Sequence, residues 1–155
     1  MNTAALPNRP THTERPLARL RQLAERATPH SLLALANRFA IAGIFWMSAR
    51  TKVDGWFHIK GSTYLRVRDE YHLPVIPPEW AAQMATVSEH LFSILLVLGL
   101  FTRLSALALL GMTLVIQVFV YPDAWPTHLS WAALLLYLVG RGGGALSLDR
   151  ALFQR

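Results

Sequence analysis

The sequence predicts an all-α integral membrane four-helix bundle with a long, partly helical loop between its first two spans. Three observations predict it. Apolar residues gather in four blocks, at about 31–49, 81–101, 104–121 and 125–140. Only 15% of residues are charged and 53% are hydrophobic, against roughly 25% charged in soluble domains. The mean hydropathy is +0.31, too high for a disordered chain.

The elements follow in order. Residues 1–30 form a basic, proline-punctuated tail carrying Arg9, Arg15, Arg19, Arg21 and Arg26. Leu17, Leu20, Leu23, Ala24 and Ala27 fall at helical spacing. A short amphipathic helix on the membrane surface and a disordered tail both fit. A signal peptide fits poorly, because the first apolar block begins at Ser31 and contains Arg38.

A helix needs roughly 17–25 residues to cross about 30 Å of hydrocarbon. The first three blocks meet that length, and the fourth is marginal. Tyr121, Trp125 and Trp131 mark an interfacial belt at its start. The second and third blocks meet at Gly99-Leu100-Phe101-Thr102-Arg103 and form an antiparallel hairpin. Residues 50–80 are too long for a structureless loop, so a partial helix is expected near Tyr64 to Tyr71. Gly142-Gly143-Gly144 reads as a helix terminator and Ser147 as the cap of a short helix in the segment 142–155.

Orientation follows from charge. With four spans, the side holding both termini carries the five tail arginines, Arg103, Arg141, Arg150 and Arg155. The other side carries Arg50, Lys52, Lys60, Arg66 and Arg68. The positive excess places both termini in the cytoplasm of a bacterial inner membrane. The net charge of +6 is not concentrated on one folded face, so no nucleic-acid partner is expected. The partners expected are the bilayer, other protein subunits or a second copy.

Charged residues inside the spans are the candidate site, because each costs about 2.5–3.5 kcal/mol on insertion scales. Arg38 lies about 10 Å, and Glu89 about 18 Å, above the cytoplasmic side if the helices start level. An extended arginine spans that offset. Lys52 and Arg50 can instead reach down to Glu89. The functional reading is a buried carboxylate with a cationic partner; the plainer one is an ion pair that sets helix register. His90 sits about 100° around the helix from Glu89. His90 and His128 lie at unequal depths, which argues against haem, and no metal is expected. There are no cysteines, so thiolate chemistry is absent.

Taken together, these residues resemble the DoxX family of small four-helix membrane proteins. The resemblance is carried by Asn37-Arg38-Phe39, Gly43-Ile44-Phe45 and Ser48-Ala49-Arg50-Thr51-Lys52-Val53. It is also carried by Glu89 with Leu95 to Leu104, and by Leu146-Ser147-Leu148-Asp149. Ala49 stands where the family usually has glycine. The resemblance covers roughly residues 35–150. It implies association with redox systems, including a thiosulfate:quinone oxidoreductase, and with oxidative-stress complexes. It brings no assigned catalytic residues, and Arg38, Lys52, Glu89 and Arg103 are the motif positions.

Three functions are therefore expected in turn. The first is a membrane subunit or accessory partner of a redox or stress-response assembly, with quinone as the possible cofactor. Such a subunit is no self-sufficient enzyme, since a partner must supply the redox centre. The second is a membrane scaffold or anchor without chemistry, and the third a small proton-linked transporter. Arg38, Lys52, Glu89 and His90 form the candidate polar site.

Overall fold

The computed structural model describes residues 29–55, 58–71 and 74–153. The expected tail helix over 17–27 lies outside these. Four long helices make the bundle: α1 (His30–Thr51), α3 (Pro78–Leu98), α4 (Thr102–Phe119) and α5 (Trp125–Arg141). Two short helices, α2 (Gly61–Glu70) and α6 (Leu148–Phe153), flank it. Between α1 and α2, β1 (Val53–Asp54) pairs antiparallel with β2 (His58–Ile59), Val53 facing Ile59 and Asp54 facing His58. A short 3-10 turn over Pro122–Ala124 precedes α5.

The long helices alternate in direction. One end of the bundle, the loop end, holds β1, β2 and α2. The other, the tail end, holds Gly99, Gly142 and α6. Helices α1, α3 and α4 are each long and apolar enough to cross a membrane. Helix α5 has 17 residues, at the lower limit for a span.

Small residues line the interfaces. Ala34, Ala42, Ala82, Ser93, Ser105 and Ala106 are buried, which lets helix backbones approach closely, as in membrane bundles generally. Ile41, Phe45, Leu96, Leu109, Leu135 and Leu138 complete one core drawn from all four long helices. Phe45 and Trp131 meet edge to face with centroids 5.7 Å apart. Large apolar residues such as Leu91, Leu107, Leu114, Val118 and Leu136 point outward. A soluble monomer rarely exposes so much apolar surface, and hydrocarbon is its natural solvent.

The loop is ordered by a few bonds. The Lys52 carbonyl accepts from Lys60 N at 3.0 Å and Thr63 Oγ1 at 2.9 Å. Helix α2 begins directly after β2, three residues before the expected Tyr64. Its Val67 packs with Tyr64 and Tyr71 on Ala81 and Ala82 at the start of α3.

Candidate functional site

The charged residues of the spans separate into two places. At the loop end, Ser48 and Lys52 stand one helical turn apart, so both side chains face the same neighbour. That neighbour is Glu89 on α3. Lys52 Nζ donates to Glu89 Oε2 at 2.7 Å and Oε1 at 2.9 Å. Ser48 Oγ donates to Glu89 Oε1 at 3.1 Å, and Lys52 Nζ reaches Ser48 Oγ at 2.8 Å. The Glu89 side chain is 3% exposed and that of Lys52 13%. The Ser-x-x-x-Lys spacing thus builds half of a buried charge pair.

At the tail end, Arg38 is 1% exposed and makes no bond to Glu89. Its Nε donates to Leu96 O at 2.7 Å and its Nη2 to Val97 O. Its Nη1 donates to Leu146 O at 2.7 Å and Gly143 O at 3.2 Å. The Arg38–Glu89 pairing drawn from level helices is therefore corrected. Helix α3 starts beyond the end of α1, so Arg38 meets the turn holding Leu96, roughly 10 Å further along α3 than Glu89.

This arrangement closes the ends of two helices. Gly99, at φ +68°, ends α3; its N–H bonds Leu96 O, and that of Leu100 bonds Leu95 O, the left-handed glycine stop. Arg38 satisfies the carbonyls of Leu96 and Val97. A Cβ on Gly99 would sit 2.7 Å from the Arg38 guanidinium. The Asp149 carboxylate then accepts from Phe101 N at 2.7 Å and Thr102 N at 2.9 Å, capping α4 where the helix dipole favours an anion. Asp149 N donates back to Gly99 O at 2.9 Å. Ser147 Oγ accepts from Arg150 N at 3.4 Å, as expected of a cap. Arg103, on the same end, donates to Gly140 O at 3.3 Å.

His90 turns away from the ion pair. Its Nδ1 donates to Thr86 O at 2.8 Å, and its ring stands edge-on to Trp46 with centroids 5.1 Å apart. His128 is engaged separately. Gln117 Nε2 donates to Pro122 O at 2.6 Å, which turns Oε1 toward His128 Nδ1 at 2.7 Å. That bond puts the proton on Nδ1 and leaves Nε2 as the proton-accepting nitrogen of the neutral ring.

Two cavities flank Lys52 and Glu89. A cleft of about 320 Å³ runs between α3 and α4, walled by Met84, Phe92, Met112 and Val115. A smaller chamber of about 110 Å³ lies inside the bundle. Lys52, Tyr71 and Glu89 line both. Burial raises the Tyr71 hydroxyl to about 12, with Tyr121 and Glu89 adding to the effect, so it stays a neutral donor. Sequence reasoning named Tyr71 and Ser48 only as parts of a loop helix and a motif and did not place them in the site. The Ser48–Lys52 spacing carried a signal for Ser48, but nothing local carried one for Tyr71.

The fold and site define a class: an α-helical integral membrane bundle with an ion pair, largely buried, between two cavities. The chain belongs to the DoxX family, whose model matches residues 33–122. It is similar to an uncharacterized protein of Haemophilus influenzae (strain ATCC 51907 / DSM 11121 / KW20 / Rd), 32% identical over 131 residues, covering 77% of this chain and 81% of the relative. No solved structure matches it.

Proposed function

We propose that this DoxX protein is a membrane subunit or accessory partner of a redox or stress-response assembly. In this reading it holds the head of a quinone in the cleft beside Glu89. One observation carries it: a single cleft joins polar groups, Lys52, Glu89, Tyr71 and Ser88, to apolar walls that reach the exposed Met84 and Val115. A ring with carbonyl oxygens and an apolar tail matches that division. Lys52 and Tyr71 are the donors for a quinone carbonyl. The chain has no cysteine, and the electrons come from a partner protein in this account. With α5 read as a fourth span, the positive excess supports an orientation with both termini in the cytoplasm of a bacterial inner membrane.

A scaffold without chemistry is the second reading. The observation that favours it is that both Glu89 oxygens are already bonded within the protein. Extraction of the protein purified with native lipid separates the two. Quinone in the extract, lost in Lys52→Met, supports the first reading; an extract without quinone and no co-purifying redox partner overturns it. For a proton-linked transporter, Glu89→Gln would abolish a pH-dependent flux in vesicles.

A further inference from the structure

The chamber holds a property that the cleft does not explain. Ser48, Lys52, Tyr71, Glu89, Tyr121 and His128 supply its polar lining. Its volume of about 110 Å³ far exceeds the ~10–15 Å³ that one water needs, and its polar partners suit several. Its floor is apolar, made by Ile44, Phe45 and Trp131. At its far side Tyr121 is 46% exposed, whereas Glu89 is 2% exposed. The chamber therefore has a buried carboxylate and a partly exposed residue of the loop end in its lining, and its apolar floor lies on the tail-end side.

We propose that the chamber is a water-binding site that gives Glu89 a one-sided proton path to the loop end, with His128 as its relay base. A proton entering beside Tyr121 passes to a chamber water or to His128 Nε2, and from there to a Glu89 carboxylate oxygen, which leaves His128 neutral again; when Glu89 gives the proton up, it leaves by the same waters. The titratable groups around Glu89 are Lys52 from the end of α1, Tyr71 after α2, His90 on α3, Tyr121 before α5 and His128 on α5. The inference deepens the quinone reading, since a quinone beside Glu89 exchanges protons when it is reduced. The water itself does not require the quinone.

The test uses the full chain in nanodiscs of synthetic, quinone-free lipid, so that it stands apart from the extraction result. Hydroxyl radicals made by X-rays from bound water label the side chains next to it. Phe45 is 1% exposed and lines the chamber, whereas Phe39 is 52% exposed and faces outward. Phe45 is expected to be labelled faster than Phe39 if the chamber is wet, because Phe45 borders the chamber and Phe39 faces lipid. In His128→Leu that labelling falls, and the infrared carboxylate band of Glu89 responds more slowly to a pH step at the loop end. Phe45 labelled no faster than Phe39 overturns the proposal, as does a Glu89 band indifferent to His128→Leu in a folded protein. Wet chamber and responsive band with no quinone in the native extract would remove the quinone reading alone.

Discussion

Buried Arg38 and partly buried Lys52 sit at opposite ends of the bundle and are neutralised in different ways. Arg38 is held by four backbone carbonyls at the tail end. Lys52 is held by a carboxylate and a hydroxyl at the loop end. The forked guanidinium suits carbonyls that diverge from two chain segments. A compact ammonium suits one carboxylate and leaves space around it. The Arg38 site is filled by protein, with a glycine Cβ position already in contact with the guanidinium. The Lys52–Glu89 site has a cavity on each side. The difference separates a charge that only ties chain ends together from one with space beside it, which is where the proposed ligand would sit.

The comparison can be broken first at the loop end. Glu89→Ala leaves Lys52 buried without its partner and is expected to lower stability by about 3–5 kcal/mol. Adding Lys52→Met should recover part of that loss, whereas adding Arg38→Ala should add its own loss within about 0.5 kcal/mol, since the two sites share no partner. Reversible unfolding in lipid micelles checks the cycle; coupling between Glu89 and Arg38 would mean that the two ends are one network.

At the tail end, Arg38→Lys keeps the charge but loses the fork. It is expected to cost about 2–3 kcal/mol by leaving buried carbonyls unsatisfied, without changing ligand content. A smaller loss, about 1 kcal/mol, is expected for Asp149→Ala, which uncaps α4. Amide hydrogen exchange near Thr102 should rise in that variant and not near Glu89.

The effect confined to alkaline solution is a pH dependence. Tyr71 titrates near 12 in the folded chain against about 10 when unfolded. The folded state therefore holds its proton more tightly, and this contribution to stability is complete below pH 10 and lost as pH rises to 12. Tyr71→Phe should flatten the alkaline limb of the unfolding curve. An unchanged limb would place the Tyr71 hydroxyl in water.

Much of the fold was legible because hydrophobic blocks report burial in lipid directly. The helix stop at Gly142 was legible from its glycine run, and the link at Gly99 from its short length. The site was legible in part. Glu89 stood out as an acid within an apolar block, and Lys52 as a cation one turn beyond Ser48. Its pairing depended on how far α3 rises past α1, and no local pattern encodes that offset. The tail-end network was hidden similarly: Leu95 to Arg103 and Leu146 to Asp149 each read as separate motifs. Arg38 and Asp149 join them across more than 40 residues of chain.

The most direct measurement is the quinone content of protein purified with native lipid, taken for the wild type, Lys52→Met and Arg38→Lys. The account predicts quinone with the wild type, its loss in Lys52→Met at retained helicity, and wild-type content per folded molecule in Arg38→Lys. Quinone kept in Lys52→Met, or lost in folded Arg38→Lys, would contradict the division between a ligand site and a structural clamp.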